Sequence, residues 1–429
     1  MADGPAALYM CRMTTDADAA PLTDAPATLA ADDPQHRPVV TLLPGRQKRV
    51  SSGHPWIYSN EIAMDAAAKA LPPGSLVTLA AAEGKPIGVA TFNPHPLVSA
   101  RILDRDAARP VDRRFFAKRL RRALSLRERL YDEPYYRLVH AEADALPGLV
   151  VDRYGGVLAV QLNTAGMDRL GDTVLDALEE VLHPRAIVLR NEGTGRAMEK
   201  LPNETRVARG TLDGEAVEIV ENGARFRIDL LGGQKTGWFF DQRENRALMA
   251  HLAKGLRVLD LYSFAGGFAV EAAVAGAAEV VAIDRSEPAL AQAEASAALN
   301  GVDGRCRFVR GEIFAELEKL HQAKERFDMV IADPPAFIKS KKDVAAGLQG
   351  YRKMTRLAAQ AVAPGGFLFV ASCSHNAELD AFAEAVRRGL ADAGRSARIL
   401  RTAGAAADHP VHPALPESAY LKAQVLALD

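Results

Sequence analysis

Short apolar runs alternate with helical stretches from about residue 229 to residue 429. The runs are rich in Val, Ile, Leu and Phe, and they read LRVLDLY, EVVAID, CRFVRGE, FDMVIADPP and GFLFVASCS. Ala-rich segments separate most of them, and this alternation is typical of βαβ units. The helix after EVVAID is well delimited, with Ser286 as its N-cap, Pro288 in its first turn and Asn300 at its end. The pattern predicts a doubly wound, Rossmann-like parallel sheet.

The first part of the chain has a different pattern. Residues 38–107 contain short strand-like runs separated by Pro and Gly turns, which predicts a small β-barrel. Residues 1–37 are rich in Ala, Asp, Thr and Pro and nearly lack aromatic residues, which predicts a disordered tail.

The segment between the barrel and the sheet, residues 108–228, mixes both kinds of element. It contains a predicted helix over residues 112–131, two strand-like runs split by Gly155-Gly156, and a second predicted helix over residues 167–182. We therefore expect a multidomain α/β protein in which this segment is a small α+β domain.

The composition excludes several classes of protein but does not indicate a specific function. The 429 residues carry a net charge of -1, so any nucleic-acid contact must come from a local basic patch. The three cysteines, Cys11, Cys306 and Cys373, fit no zinc spacing, so we expect no metal; their odd number favours a reducing, cytoplasmic location. No apolar run approaches the roughly 20 residues of a membrane helix.

Two local patches are basic. The segment GRQKRVSSGHPWIYSNEI combines cations with aromatic rings, which suits RNA through phosphate charge and stacking; its candidate contacts are Arg46, Lys48, Arg49 and Trp56. The helix at residues 112–131 carries eight Arg or Lys and one acid between Arg113 and Arg129, with Arg119 and Arg122 as candidate RNA contacts. The alternatives are a solvated loop in which Trp56 fills the barrel, and a solvated helix face.

Polar residues stand at the carboxyl ends of all five predicted strands of the sheet. They are Asp260, Asp284, Glu312, Asp333 and Cys373. Ligands of open α/β sheets bind at that edge. Each acid alone could be a helix cap, but five such residues together favour a binding site.

The turn after the first strand, DLYSFAGGF, lets the backbone approach a ligand at Gly266. It lacks the G-x-G-x-x-G fingerprint of a dinucleotide fold, which argues against an NAD enzyme. Asp284 is placed to accept hydrogen bonds from ribose hydroxyls, and Glu312 could face an adenine edge. A nucleoside site without a phosphate cradle fits S-adenosylmethionine.

Cys373 and Asp333 suggest the chemistry. Carbon 5 of cytosine is a poor nucleophile until a thiolate adds to carbon 6, and Asp333, bonded at N3, would stabilise the adduct. The alternatives are a buried structural thiol and a rigid DPP turn with a capping Asp. Ala336, which directly follows the two prolines, departs from the aromatic residue of the amino-methylating pattern.

Several motifs occur together in one order: GHPWIYSNEI, QKTGWFFDQRENR, DLYSFAGGF, DPPAFIKSK, SCSH and DHPVHPALPESAYLK. From about residue 38 onward the chain resembles the bacterial large-subunit ribosomal RNA 5-methylcytosine methyltransferases, which join a PUA RNA-binding domain to a class I methyltransferase domain. The resemblance implies Cys373 as the nucleophile and large-subunit ribosomal RNA as the substrate. It implies S-adenosylmethionine contacts around Lys235, Thr236, Phe264, Gly266, Asp284, Glu312 and Asp333. Ala336, where a lysine is common, and the N-terminal tail are departures.

Two other functions stay open at this point. One is methylation of another position, such as guanine N7 or an exocyclic amine. The other is a non-enzymatic RNA-binding or ribosome-assembly factor that retains a cofactor site. The oligomeric state also stays open, with a homodimer as one option.

Overall fold

The computed structural model describes residues 32–212, 216–233 and 236–429, without the side chain of Thr194. The first part is a five-stranded sheet with strand order β1-β3-β4-β5-β2, which curls into a half-barrel around Val40, Ile57 and Val77. Its elements are β1 (Val39–Thr41), α1 (Gln47–Ser51), β2 (Trp56–Tyr58), α2 (Ala66–Ala70), β3 (Ser75–Ala80), β4 (Pro86–Phe92) and β5 (Val98–Asp104).

The central part packs two longer helices against a second five-stranded sheet of order β10-β9-β8-β7-β6. Its elements are α3 (Arg113–Leu130), β6 (Tyr135–His140), β7 (Leu149–Tyr154), β8 (Val157–Leu162), α4 (Ala165–Arg169), α5 (Gly171–Leu182), β9 (Ala186–Asn191), α6 (Thr194–Met198) and β10 (Glu204–Gly210). The single helix predicted over residues 167–182 is wrong in one respect. The chain turns at Leu170 (φ -89°, ψ 9°), so that a short capped helix precedes α5.

A hairpin of β11 (Ala216–Glu221) and β12 (Ala224–Asp229) leads into the last part of the chain. There the elements are α7 (Arg243–Leu252), β13 (Arg257–Leu261), α8 (Gly267–Val274), β14 (Glu279–Asp284), α9 (Glu287–Leu299), β15 (Cys306–Arg310), α10 (Ile313–Ala323), β16 (Phe327–Ala332), α11 (Val344–Ala361), β17 (Val362–Ser372), α12 (Leu379–Asp392), β18 (Ala397–Ala403) and β19 (Lys422–Leu428).

These strands form a seven-stranded sheet of order β15-β14-β13-β16-β17-β19-β18. The first five are parallel, and β19 runs antiparallel to β17 and β18. The predicted doubly wound sheet is therefore confirmed. The strand order reverses direction between β13 and β16, which is the topological switch point where such sheets bind ligands.

Local signals in the sequence placed several helices correctly. The Ser286 side chain caps α9 by accepting a hydrogen bond from the Ala289 N–H, and Asn300 follows its last turn. Asp112 caps α3 in the same way, through the Phe115 N–H. In the part of the chain that the structure describes, no helix is both long and apolar enough to cross a membrane.

Candidate active site

The carboxyl edge of the seven-stranded sheet gathers the polar residues that the sequence placed after its strands. Asp284 ends β14, Asp333 directly follows β16 and Cys373 directly follows β17. Glu312 follows β15 after one glycine, whereas Asp260 lies inside β13, one residue before its end. Because these five strands are parallel, all of these side chains belong to one edge of the sheet.

The turn after β13 approaches α9 unusually closely. Gly266 has φ +78°, and a Cβ atom there would lie 2.7 Å from the Ala293 Cβ of α9. Tyr262 and Phe264 also have positive φ values, +61° and +48°, although neither is glycine. Such strain at three alternate residues is typical of ligand-binding turns, and the absent Cβ of Gly266 leaves room for α9 at the base of this turn.

Asp260 anchors the turn from inside the sheet. Its carboxylate is 1% exposed and accepts a hydrogen bond from the Ala269 N–H at 3.0 Å, at the start of α8. Burial raises the pKa of Asp260 well above its ordinary value, and the nearby carboxylates of Asp333 and Asp284 add to the effect. The three carboxylates are therefore close enough to interact electrostatically.

Asp284 connects the turn to the second strand. One carboxylate oxygen accepts from the Phe264 N–H at 3.0 Å and the other accepts from the Ser286 N–H at 2.8 Å. Glu312 is exposed and caps α10 through the Ala315 N–H at 2.9 Å. Both acids thus accept backbone hydrogen bonds at the start of a helix, which was the alternative to ligand binding in the sequence analysis. The two roles are compatible, because a capping carboxylate retains lone pairs for a ligand.

The residues of the turn fit a nucleoside ligand. The Ser263 hydroxyl is buried and has no hydrogen-bond partner among the described residues, so a polar group is needed to satisfy it. Phe264 is half-buried and packs edge-to-face on Phe239 with ring centroids 5.2 Å apart. Thr236 is buried, and its carbonyl accepts a hydrogen bond from the Tyr154 hydroxyl at 2.9 Å. Lys235 lies outside the described residues.

The thiol of Cys373 contacts the loop that carries Asp333. Its Sγ lies 3.9 Å from the Pro334 carbonyl oxygen, to which it donates a weak hydrogen bond. Both Cys373 and Asp333 are half-buried. The cysteine and the DPP motif are 40 positions apart in sequence but adjacent at the sheet edge.

A buried hydroxyl cluster holds these two loops together. The Ser372 hydroxyl donates to the Tyr351 hydroxyl at 2.8 Å, and Tyr351 shares a second hydrogen bond with Ser374 at 2.8 Å. The Ser374 hydroxyl also accepts from the Ile338 N–H, at 3.1 Å, beyond the double proline. Sequence analysis missed Tyr351, because a tyrosine on an Ala-rich amphipathic helix carries no signal of its partners.

Lys422 is a cation beside Cys373 that the sequence did not reveal. It begins β19 and pairs with Ser372 in the antiparallel register. Its ammonium donates to the Ser374 and Tyr420 carbonyls, each at 2.9 Å. Burial lowers the pKa of Lys422, whereas the negative charges of Glu378 and Cys373 oppose that change. Only the reversed direction of β19 brings this lysine to the cysteine.

The candidate RNA contacts fall into two groups. Arg46, Lys48 and Arg122 are exposed. The others are engaged inside the protein. Arg49 pairs with Glu61 at 2.6 Å, the Trp56 indole N–H donates to Glu142 at 2.7 Å, and Arg119 donates to the Leu103 carbonyl at 2.6 Å and pairs with Asp104. Assignment of all six residues to RNA stays a prediction.

Comparison with known proteins identifies the family to which this chain belongs. Residues 194–426 match a family described as S-adenosylmethionine-dependent methyltransferase, and residues 40–105 match a PUA-like domain. The chain belongs to the S-adenosylmethionine-dependent methyltransferases. Its cofactor is therefore S-adenosylmethionine, which agrees with the glycine turn, Asp284 and the unsatisfied Ser263 hydroxyl.

Several methyltransferases of known sequence match almost end to end. Proteins named ribosomal RNA large subunit methyltransferase I from Shewanella amazonensis and Aeromonas salmonicida are 35% and 36% identical to this chain, over 90% of it and 98% of each relative. The corresponding protein of Vibrio cholerae is 35% identical over the same shares.

Two solved structures share the fold of this methyltransferase. A methyltransferase complexed with SAH superimposes with a TM-score of 0.77 over 91% of this chain and 99% of its own, at 20% identity. A SAM-dependent methyltransferase from Streptococcus mutans gives the same TM-score over 91% and 100%, at 19% identity.

Proposed function

We propose that this methyltransferase transfers a methyl group to carbon 5 of a cytosine in large-subunit ribosomal RNA, through a covalent adduct of Cys373. The observation that carries the proposal is the contact between the Cys373 thiol and the Pro334 carbonyl, since it unites a nucleophile with the DPP motif at the cofactor edge. The names of the relatives that match over nearly their whole length support ribosomal RNA as the substrate.

Each side chain has a defined part in this reaction. The Cys373 thiolate forms a bond to carbon 6 of the cytosine, which shifts electron density onto carbon 5. Asp333 holds a proton at N3, where negative charge otherwise builds up. S-adenosylmethionine supplies the electrophilic methyl group. Water then accepts the carbon 5 proton, the electron pair of that C–H bond forms the 5,6 double bond, and the bond between sulfur and carbon 6 breaks. The thiolate is returned, and Asp333 takes back the proton at N3, which restores the aromatic ring.

Two features of the site support a reactive thiolate. The Lys422 ammonium binds the carbonyl of Ser374, the residue after the cysteine, and so places positive charge beside the sulfur. The cluster of Tyr351, Ser372 and Ser374 fixes the backbone on both sides of Cys373 and ties it to the loop of Asp333. Neither loop can move without breaking a buried hydrogen bond.

A matched pair of cysteine variants tests the proposal. Cys373→Ser is expected to lower tritium transfer from S-adenosylmethionine to unmodified large-subunit ribosomal RNA by at least about 10³-fold, while cofactor binding by calorimetry is unchanged. Cys306→Ser is the control, because Cys306 lies at the start of β15, away from the carboxyl edge. Transfer at the full rate by Cys373→Ser would refute the covalent mechanism.

The chemical identity of the product gives a second, independent test. Mass spectrometry of nucleosides is expected to find 5-methylcytidine, and 7-methylguanosine or an N-methylated exocyclic amine would contradict the proposed position. RNA substituted with 5-fluorocytidine is expected to form a denaturation-resistant adduct with the wild-type enzyme and none with Cys373→Ser, because fluorine at carbon 5 blocks the final elimination. Tight RNA binding without any methyl transfer would favour a non-enzymatic role.

A further inference from the structure

Helix α3 connects the PUA-like half-barrel to the catalytic part of the enzyme. In its first half, Arg119 donates to the carbonyl of Leu103 in β5. Near its end, the buried Arg127 donates to the carbonyl of Asp408, in the segment that leads to Lys422 and the cysteine loop. With 18 residues, the helix is about 27 Å long. A ligand that lies along α3 therefore extends between the two parts of the protein.

Most of the basic residues of α3 fall into two classes, and Arg129, which is exposed in the last turn, belongs to neither. The first class pairs with acidic side chains of the protein. Arg113 and Arg121 both pair with Glu180 of α5, at 3.2 and 2.7 Å, and Arg127 forms a buried ion pair with Asp144 at 2.6 Å. Because Glu180 and Asp144 offset the charge of these arginines, α3 can pack against the rest of the central part despite its high positive charge.

The second class is a stripe of exposed cations, Arg114, Lys118 and Arg122. None of them has an ion pair or hydrogen bond with any residue of the described ranges, 32–212, 216–233 and 236–429. They are spaced four residues apart, so they lie on one face at intervals of about 6 Å. Like charges at this spacing repel one another, and the fold supplies no anion to offset that repulsion.

The stripe lines a surface groove beside the half-barrel, with a cavity of about 420 Å³. Arg109 and Arg119 complete its basic lining, and its acids are Asp104 and Asp112. Both acids already have partners, since Asp104 pairs with Arg119 and Asp112 caps α3. The groove therefore presents net positive charge along a line of about 12 Å, which fits several phosphates of a polyanion better than one isolated phosphate.

We propose that Arg114, Lys118 and Arg122 bind consecutive backbone phosphates of the RNA substrate and hold the strand along α3, between the half-barrel and the catalytic sheet. The inference rests on the proposed function for its choice of RNA as the polyanion. It also revises the sequence-based expectation for this helix: Arg122 is retained as a contact, whereas Arg119 supports the groove from within.

The experiment compares two variants of the full-length protein that lose equal charge from the same helix. Arg114→Gln/Arg122→Gln removes two unpaired cations, and Arg113→Gln/Arg121→Gln removes two that already pair with Glu180. The probe is unmodified large-subunit ribosomal RNA, and its dissociation constant is measured by filter binding at several salt concentrations. All four side chains are exposed, so both variants are expected to fold, which thermal unfolding checks.

The first variant is expected to bind RNA about tenfold or more weakly, and the slope of log K against log salt is expected to fall by about 1.4–1.8, or 0.7–0.9 per lost phosphate contact. The control is expected to change the slope by less than half as much. Equal slopes in the two variants would overturn the inference.

The outcome for the groove is separable from the outcome for the catalytic proposal. The salt slope is measured by RNA binding alone, whereas the dependence of methyl transfer on Cys373 is measured in protein with an intact stripe. If the slope of log K against log salt falls in Arg114→Gln/Arg122→Gln but methyl transfer does not depend on Cys373, RNA binding by the stripe is supported and the proposed chemistry is refuted. If the slope is unchanged but methyl transfer depends on Cys373, RNA binding by the stripe is refuted and the proposed chemistry is supported.

Discussion

Gly266 is the position where cofactor binding depends most directly on packing. Its φ of +78° is a conformation that costs an alanine roughly 1–2 kcal/mol. A Cβ atom there would also lie 2.7 Å from the Ala293 Cβ and 3.3 Å from the Ala293 Cα. Ala293 is fully buried in α9, so the overlap is relieved only by moving the turn or the helix, at about 1–3 kcal/mol.

We therefore expect Gly266→Ala to destabilise the catalytic sheet by about 2–5 kcal/mol. Displacement of the turn is expected to raise the dissociation constant for S-adenosylmethionine at least tenfold. Gly301→Ala is the matched control, because Gly301 has φ +66° but no atom within 4 Å of the added Cβ. Gly301→Ala is therefore expected to lose only the stability that an alanine at positive φ costs, and to bind the cofactor as the wild type does.

Denaturant unfolding and calorimetry measure the two quantities. Of the two tryptophans, Trp238 packs next to Gly267, so its fluorescence in a Trp56→Phe background reports unfolding of this region. If Gly266→Ala and Gly301→Ala lose equal stability and bind the cofactor with equal affinity, the close approach of Gly266 to α9 does not determine the conformation of the turn.

Two further predictions follow from the buried polar groups of the site. The raised pKa of Asp260 means that the wild type loses stability as pH rises above about 4, the ordinary pKa of a carboxyl. Asp260→Asn removes that loss, so its stability relative to the wild type should increase from pH 4 to pH 8 in denaturant titrations, and a pH-independent difference would contradict the cause. Tyr351→Phe leaves the Ser372 and Ser374 hydroxyls without their shared partner and should cost about 1–3 kcal/mol and lower kcat, with cofactor affinity unchanged. Tyr135→Phe, whose hydroxyl bonds to no described residue, should change neither.

Local patterns in the sequence were sufficient for the five parallel strands of the catalytic sheet, whereas the antiparallel strands β18 and β19 were not predicted. The inner strands β13, β14, β16 and β17 are mostly buried and read as continuous apolar runs, which is how parallel strands are recognised. Ser286 marked the start of α9 because an N-cap acts within three residues of itself. The common edge of Asp284, Asp333 and Cys373 followed from the same βαβ repetition.

The sequence by itself determined the class of fold, the five parallel strands of the catalytic sheet and the edge that carries the chemistry, because each of these depends on periodicity or on contacts between near neighbours. The tertiary structure alone decided which charges remain available. Arg119 and Arg122 look equivalent in sequence, yet one bonds to β5 and the other faces solvent. Lys422 reaches the cysteine only because β19 reverses beside β17. Such pairings join residues many positions apart, and no local propensity records them.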